Sequence, residues 1–182
     1  MPNLLRTFPV GNLEFGRLSS PIGEVLVSWD GDGALRSLDF GDYEERMFRL
    51  MRRMYGGVDV HEAHVPNTLR EVVCSYFSGN YEAFQNLPLA AYGSPFQHLV
   101  WNTLSHIPAG ATISYREVAR RIARPAACRA VGLANGANPI AIAIPCHRVI
   151  GSNRSLTGYG GGISRKAWLL RHERAAYVDK IP

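Results

Sequence analysis

The sequence predicts an α+β protein in which a small mixed segment, residues 1–92, precedes a mainly helical segment, residues 93–182. Apolar and polar residues alternate between Leu18 and Phe40, which is typical of β-strands. Beyond residue 93, capping residues and apolar stripes of helical spacing dominate instead. The stretch FQNLPLAAYG, residues 84–93, has neither pattern, so we place the crossing between the two domains there.

The first segment is predicted to hold a β-hairpin and two helices. The turn sequence Asp-Gly-Asp-Gly at residues 30–33 separates the two arms of the hairpin. A helix should begin at Asp42 and bury a methionine-rich stripe formed by Met47, Leu50, Met51 and Met54. A second helix should run from Thr68 to about Phe77. Cys74 lies inside it, where a buried and unreactive thiol is the favoured interpretation.

The second segment is predicted to open with a helix capped by Ser94, with Pro95 at its first position. Its inward face should hold Phe96, Leu99, Val100 and Thr103. Two short helices follow, over 115–123 and roughly 126–135. Ser114 and Glu117 form a capping box for the first, which should bury Val118, Ala119 and Ile122.

The second of these short helices should bury Ala127, Ala130, Val131 and Ala134 and leave Arg129 outside among small residues. Two helices joined by a tight turn in a basic segment indicate a helix-turn-helix. An ordinary helical hairpin explains the same spacing equally well.

Composition and charge narrow the class of protein. Of 182 residues, 46% are apolar and 19% charged, as in a soluble globular protein. Neither a signal peptide nor a membrane-length apolar run is apparent, so we expect a cytoplasmic protein. The three cysteines, Cys74, Cys128 and Cys146, suit neither a disulfide framework nor a zinc site. Residues 1–90 carry a net charge of −4 and residues 91–182 one of +9, which indicates a polyanion partner or merely a basic surface.

The most informative stretch is Pro145-Cys146-His147-Arg148-Val149. A thiol becomes a good nucleophile when a neighbouring base or positive charge promotes its ionisation. Consecutive side chains of an extended segment point apart, so a bridging water is the more natural proton route from Cys146 to His147. A Cys-His dipeptide by itself is also a frequent coincidence.

A third residue is needed to orient the histidine. Ser164 is predicted to cap a helix over 166–174, on which positions 166, 169, 170 and 173 share a face. Glu173 therefore lies on an apolar stripe, where an unpaired carboxylate is costly, and we predict that it pairs with His147. The alternative is an exposed carboxylate at a fraying helix end. The preceding LTGYGGG, residues 156–162, matches no nucleotide-binding pattern and could be a flexible surface loop.

The stretch PCHRV, with RAVGLANGANP upstream and LTGYGGG and KAWLLRHE downstream, resembles the O6-alkylguanine-DNA alkyltransferase family, in particular its small bacterial members. The match is dense from Ser94 to Glu173. It is looser across residues 1–90, where SSPIGEVLVSWDGDGALRSLDF and YFSGNYEAF are similar to the family's ribonuclease-H-like N-terminal domain.

The resemblance implies a DNA-repair protein that transfers an alkyl group once and irreversibly from O6-alkylguanine, and secondarily O4-alkylthymine, in duplex DNA. It implies a monomer without cofactor or metal. Cys146 would be the acceptor, His147 a base acting through water, and Glu173 the residue that holds the histidine. Tyr115 would donate a hydrogen bond to a flipped base, and Asn138 would buttress the active-site turn.

The resemblance also implies a DNA surface and a pocket. The helix-turn-helix would sit in the minor groove, with Arg129 filling the space of the extruded nucleotide. The DNA-binding residues would be Ser114, Tyr115, Arg129, Ala130 and Gly132. The pocket would be lined by Pro145, Arg148, Tyr159 and Gly160. Gly160 stands where some relatives have a serine that binds the base, so that contact would come from the backbone here.

Two other functions remain open from the sequence. A helix-turn-helix regulator or damage sensor would bind DNA without chemistry, and the set Cys146, His147 and Glu173 argues against it. A cysteine hydrolase acting on an ester or amide would turn over repeatedly and ignore DNA. An alkylated cysteine, in contrast, is a thioether that water does not cleave.

Overall fold

The computed structural model describes residues 12–57 and 59–177. The chain divides into two compact units, residues 1–92 and 93–182. A four-stranded sheet with helices in the first unit and a mainly helical second unit confirm the predicted α+β class. The expectation that the N-terminus lacks a signal peptide rests largely on residues 1–11, which lie outside the described residues. None of the described helices is long and apolar enough to cross a membrane.

The sheet of the first unit contains β1 (Leu13–Ser20), β2 (Gly23–Trp29), β3 (Leu35–Phe40) and β4 (Val60–Glu62), in the order β3-β2-β1-β4. Strands β2 and β3 form the predicted antiparallel hairpin. Its turn is held by Asp30, whose carboxylate accepts hydrogen bonds from the backbone N–H of Asp32 and of Ala34. β4 pairs in parallel with β1 and was not predicted, because three residues are too few to show a period.

The polar residues of β3 are buried, so this strand is covered on both faces. Each of them has a partner, as buried polar groups require. Arg36 pairs with Asp30, Asp39 pairs with Arg46, and the hydroxyls of Ser28 and Ser37 lie 2.8 Å apart. The alternation read from the sequence therefore identified the hairpin but not its burial.

Two helices complete the first unit, α1 (Glu44–Tyr55) and α2 (Asn67–Phe77). Met47 and Met51 of the predicted stripe are buried. The prediction for Cys74 is wrong, because this thiol is exposed. α2 instead buries Leu69, Val73 and Tyr76, which share a face that excludes position 74.

The second unit contains α3 (Pro95–Ser105), α4 (Tyr115–Arg121), α5 (Cys128–Gly136) and α6 (Ile163–His172), together with the short parallel pair β5 (Ile113–Ser114) and β6 (Val149–Ile150). The predicted N-cap at Ser94 is confirmed, and Gln97 completes a capping box with it. The predicted inward face of α3 is wrong in part, because Leu99 is exposed and Trp101 and Leu104 are buried. Trp101 is drawn inward since its indole N–H donates to the Ala134 carbonyl of α5 at 2.9 Å.

The buried face of α4 agrees with the prediction. Ser114 accepts a hydrogen bond from the Glu117 N–H, but the Glu117 carboxylate binds Arg120 and Arg121 instead of completing the capping box. On α5, Ala130 is exposed and not inward as predicted. The buried stripe consists of Val131, Ala134 and Asn135, which places Ala130 on the outer face with Arg129.

Candidate active site

Cys146 begins a single turn of 3-10 helix, Cys146–Arg148, that leads directly into β6. The backbone therefore bends at the point where an extended segment would have sent the Cys146 and His147 side chains apart. The thiol is largely buried, with 4% of the residue exposed. Pro145, predicted as a pocket residue, is buried immediately before it.

The buried side chain of Asn138 holds the turn that precedes the cysteine. Its Nδ2 donates to the Ile144 carbonyl at 2.8 Å, and its Oδ1 accepts from the Ile140 N–H at 3.1 Å. The enclosed Ile142 has a φ of 69°, which is rare for a β-branched residue. The same Nδ2 lies 3.1 Å from Cys146 Sγ. A hydrogen bond to the charged form of a group favours that form, so this amide favours the thiolate.

His147 and Glu173 form a completely shielded pair, with Nε2 of the histidine 2.9 Å from Oε1 of the glutamate. Burial lowers the pKa of His147, and the nearby charges of Arg148 and Lys166 lower it further, against the opposing effect of Glu173. Because an ionised carboxylate only accepts hydrogen bonds, the neutral imidazole carries its proton on Nε2. Nδ1 has no hydrogen-bond partner among the described residues. Its lone pair can therefore accept a proton.

Arg148, predicted as a pocket residue, is buried beside Glu173. Its guanidinium donates to both carboxylate oxygens of Glu173, each at 2.8 Å, and to the Ile107 carbonyl at 2.5 Å. Burial alone would raise the pKa of Glu173, but the hydrogen bonds and charges of His147 and Arg148 hold it well below the ordinary glutamate value. The carboxylate is therefore ionised and fixed from two sides.

Tyr115 is the first residue of α4, and burial raises the pKa of its phenol. The hydroxyl donates a long hydrogen bond, 3.4 Å, to the Gly158 carbonyl. A Cβ placed on Gly132 would lie 4.0 Å from the Tyr115 ring, an ordinary van der Waals contact, so this position of α5 packs beside the tyrosine. Negative charge at Cys146 adds to the effect of burial on the pKa of Tyr115.

The segment that follows β6 carries Tyr159 and Gly160, which were predicted to line the pocket. The ring of Tyr159 meets that of His147 edge to face, with 6.5 Å between the centroids. Gly160 is half-buried, and Gly162 has a φ of 88° at the residue before α6. The helix begins at Ile163, earlier than predicted, and Gly162 occupies the capping position expected for Ser164.

The predicted DNA-binding residues lie on or beside the α4–α5 pair. Arg129 and Ala130 are exposed on α5, while Ser114, Tyr115 and Gly132 are half-buried. The buried face of α5 contacts the turn that carries Cys146 through Asn135, whose Nδ2 donates to the Cys146 carbonyl at 3.4 Å.

Sequence reasoning did not predict the position of Lys166, which is fully buried beside Tyr115. The signal was available, because position 166 shares the helical face of Leu169, Leu170 and Glu173. It also missed the pairing of Arg148 with Glu173. No spacing rule predicts that contact, since residues 25 positions apart meet through the fold.

Comparisons with known proteins agree on one family. A profile described as the DNA binding domain of 6-O-methylguanine DNA methyltransferase matches residues 95–175. A methylated-DNA–protein-cysteine methyltransferase of Shigella flexneri is 45% identical over 159 residues, covering 86% of this chain and 93% of that protein. The crystal structure of Mycobacterium tuberculosis O6-methylguanine methyltransferase is similar with a TM-score of 0.73 and 38% identity, covering 89% of this chain and 93% of that chain. A crystal structure of M. tuberculosis OGT in complex with DNA is similar with a TM-score of 0.73 and 36% identity, covering 88% of this chain and 92% of that chain.

Proposed function

This chain belongs to the methylated-DNA–protein-cysteine methyltransferase family, and on that premise we propose that Cys146 is the residue that takes the alkyl group from damaged DNA. The protein repairs alkylated DNA by direct, stoichiometric and irreversible transfer to a cysteine. Its main substrate is O6-alkylguanine in duplex DNA. O4-alkylthymine, which also carries its alkyl group on a ring-attached oxygen, is the secondary one.

The observation that carries the proposal is the arrangement around the Cys146 sulfur. Asn138 donates to Sγ at 3.1 Å, and the adjacent His147 has its Nε2 fixed by the buried Glu173. The thiol proton passes through a water to the free Nδ1 of His147. The resulting imidazolium is stabilised by the ionised Glu173, as in other nucleophile–histidine–carboxylate sites.

The transfer itself is a single displacement. The thiolate of Cys146 forms a bond to the alkyl carbon while the bond from that carbon to O6 of the guanine breaks. The bonding electrons leave with the purine, and Tyr115 donates a proton that neutralises it. The product is a thioether, which water does not hydrolyse, so each molecule acts once.

The DNA surface in this proposal is the α4–α5 pair acting as a helix-turn-helix in the minor groove. The exposure of Arg129 and Ala130 and the closeness of Gly132 to Tyr115 support it, because together they connect an outer face to the base pocket. Arg129 fills the space of the extruded nucleotide, and Tyr159 and Gly160 form the lip over the flipped base. The protein acts as a monomer.

We also propose that the first unit is a ribonuclease-H-like domain. Its support is the mixed sheet, in which three antiparallel strands are followed by β4 running parallel to β1. We also propose a cytoplasmic location. The three cysteines are all free, in keeping with a reducing compartment.

Intact-mass spectrometry tests the proposal. The full chain is incubated with duplex DNA containing one O6-methylguanine, and the expected result is a gain of one methyl group in place of one hydrogen. Peptide mapping should place the methyl on Cys146. No gain of mass would favour a damage sensor, and repeated turnover on an ester would favour a hydrolase. Methylation of Cys74 or Cys128 would contradict the assignment of the acceptor.

A further inference from the structure

β6 leads from the turn that carries Cys146 (the acceptor turn, residues 146–148) into a second tight turn, which holds a strained residue. The Gly151 N–H donates to the Ser155 carbonyl, and the Arg154 N–H donates to the Gly151 carbonyl, each at 2.9 Å. These bonds close a three-residue loop, whose last position has a left-handed backbone and is typically glycine. Here it is Arg154, with a φ of 65°. A side chain is strained in this conformation, so an arginine there needs a reason other than the turn itself.

The other residues of the turn hold this conformation. The Asn153 Oδ1 accepts hydrogen bonds from the Ser155 N–H at 3.1 Å and from the Ser155 hydroxyl at 2.7 Å. A Cβ on Gly151 would lie 2.7 Å from the same oxygen, so a glycine is needed opposite the asparagine. The backbone of Arg154 is therefore fixed before any partner binds, which lowers the entropic cost of a contact at this residue.

The guanidinium of Arg154 is available to an outside partner. Its side chain is exposed and forms no hydrogen bond or ion pair with a described residue. The second unit has two carboxylates among the described residues, those of Glu117 and Glu173, and other side chains bind both of them. The positive charge of Arg154 is therefore not neutralised within this unit, and an anion from outside the protein can bind it.

The pairing of β5 with β6 places the turn beside the candidate site. The two strands are parallel, with Ser114 opposite Ile150, so both chains leave the pair at the same end. The chain beyond Ser114 enters α4 with Tyr115, and the chain beyond Ile150 enters the turn. The Tyr115 hydroxyl donates to the Gly158 carbonyl, on the segment that returns from the turn. Four residues separate Gly158 from Arg154, a span of at most about 14 Å.

Tyr115 thus contacts two elements that each carry an exposed arginine. Its ring packs beside Gly132 of α5, the helix that holds Arg129, and its hydroxyl contacts the segment that follows Arg154. Arg129 is the residue proposed to fill the space of the extruded nucleotide. A second arginine near the same tyrosine is in position to meet the DNA backbone next to that nucleotide.

We propose that Arg154 binds a backbone phosphate of the duplex next to the extruded nucleotide. The inference rests on the proposed function. A guanidinium binds a phosphate through two parallel hydrogen bonds, which adds direction to the attraction between the charges. Contacts to phosphates fix the position of a protein on the duplex without reading its sequence. Arg154 is therefore a positioning residue, which holds the strand while Cys146 and Tyr115 act on the base.

The first measurement is single-turnover transfer from a duplex that contains one O6-methylguanine. Loss of one phosphate contact reduces the slope of log affinity against log salt by about 0.9, which corresponds to a roughly eightfold loss of affinity at 0.1 M salt. Arg154→Ala should raise the duplex concentration that gives half the maximal rate by this factor, and the effect should fade towards 1 M salt. The rates at saturating duplex and with free O6-benzylguanine should not change, because the thiol and the pocket are intact.

The second measurement identifies the phosphate. In a series of duplexes, one phosphate at a time on either side of the damaged nucleotide is replaced by a neutral methylphosphonate. At the phosphate that Arg154 binds, this replacement should weaken binding of the unmodified chain but not of Arg154→Ala, because the variant has already lost the contact. At the other phosphates, both proteins should lose affinity equally.

Arg174 provides a matched control. It is also an exposed arginine with a left-handed backbone, at a φ of 58°. It follows α6 and lies two residues before Ala176, whose carbonyl accepts from the Thr112 hydroxyl at the start of β5. The turn of Arg154 lies at the other end of that strand. Arg174→Ala should therefore keep the salt dependence and the methylphosphonate pattern of the unmodified chain.

Arg154→Gly separates DNA binding from backbone strain. Glycine adopts a positive φ without steric cost, whereas alanine keeps the strain. Both variants should lose the same affinity for the duplex, but Arg154→Gly should melt at a higher temperature than Arg154→Ala. A lower melting temperature of the glycine variant would show that the turn tolerates a side chain without strain, and the reason to assign a function to Arg154 would be lost.

The other outcomes separate this contact from the proposed function. An unchanged half-saturating concentration for Arg154→Ala, or losses equal to those of the unmodified chain at every methylphosphonate, would overturn the phosphate contact while transfer to Cys146 stands. A lower rate of Arg154→Ala with free O6-benzylguanine would assign the residue to the pocket and would also overturn it. Failure of the unmodified chain to gain a methyl group would contradict the proposed function itself.

Discussion

Nε2 of His147 lies 2.9 Å from Oε1 of Glu173, and neither side chain is exposed to solvent. The carboxylate also receives two hydrogen bonds from Arg148, so two neighbouring residues of the acceptor turn converge on one residue at the end of α6. This carboxylate therefore fixes both the histidine ring and the turn that carries Cys146.

Glu173→Gln should slow transfer and destabilise the protein. The amide cannot balance the buried Arg148 guanidinium, and loss of one partner of a buried pair costs on the order of 3–5 kcal/mol. Urea unfolding should show the loss at pH 7. Because the pKa of Glu173 is lower in the folded protein, its stabilising effect is present above the ordinary value of 4.5 and fades as the pH falls below it. The difference between the two proteins should therefore shrink in acid.

Glu117→Gln is the matched control, because Glu117 also binds two arginines but lies at the surface. It should change neither the urea midpoint nor the rate with free O6-benzylguanine appreciably. If Glu173→Gln behaved like this control, the buried carboxylate would have no part in holding His147.

Asn138→Ala should reduce the reactivity of Cys146 at neutral pH. The thiolate loses the hydrogen bond from Nδ2, so alkylation by iodoacetamide should require a higher pH. The buried Ile140 N–H also loses its hydrogen bond to the Asn138 Oδ1, which costs about 1–3 kcal/mol of stability. Asn135→Ala removes an amide that binds the Cys146 carbonyl and not its sulfur, and it should leave the pH dependence unchanged. Identical pH profiles for both variants would exclude a role of Asn138 at the sulfur.

Arg129→Ala should impair transfer from duplex DNA far more than transfer from free O6-benzylguanine. Extruding a base costs a few kcal/mol, which an inserted arginine offsets and which a free base never incurs. The measurement is the rate at saturating substrate. Arg124→Ala removes another exposed arginine and should weaken DNA affinity without lowering that saturating rate. Equal losses of the Arg129 variant on both substrates would assign the arginine to the fold or the pocket.

Lys166 should make the stability of the protein rise at alkaline pH. Its pKa is 10.5 for the ordinary group and about 8 in the folded protein. Between these values the unfolded chain holds a proton that the folded chain has released, so a higher pH favours folding. Relative to Lys166→Met, the free energy of unfolding should rise by about 1 kcal/mol per pH unit across that window. Parallel stability curves for the two proteins would show that Lys166 is not desolvated.

Local signals predicted much of this structure. Ser94 and Pro95 begin α3 as expected, because an N-cap hydrogen bond joins residues only three positions apart. The Asp-Gly-Asp-Gly sequence at residues 30–33 predicted the hairpin correctly, because a turn also depends on residues that are close together in the sequence. The pairing of Glu173 with His147 followed from a single argument, that a carboxylate on an apolar stripe needs a partner.

The errors arise where distant residues decide the outcome. Leu99 and Trp101 both suit the inward face of a helix, and the Ala134 carbonyl of another helix determines which of them is buried. The contacts of Arg148 with Glu173 and with the Ile107 carbonyl were not predicted, because neither contact is visible in the spacing of the sequence.

The burial of Cys146 has a practical consequence for anyone who counts thiols. Cys74 and Cys128 are exposed, whereas Cys146, the proposed acceptor, is buried. A bulky maleimide dye will therefore label those two first, and a thiol titration under native conditions will overstate the loss of active protein during storage or oxidation. Conversely, one chain can carry two labels, a maleimide on the surface thiols and a benzylguanine conjugate on the acceptor, without either reagent competing for the other's site.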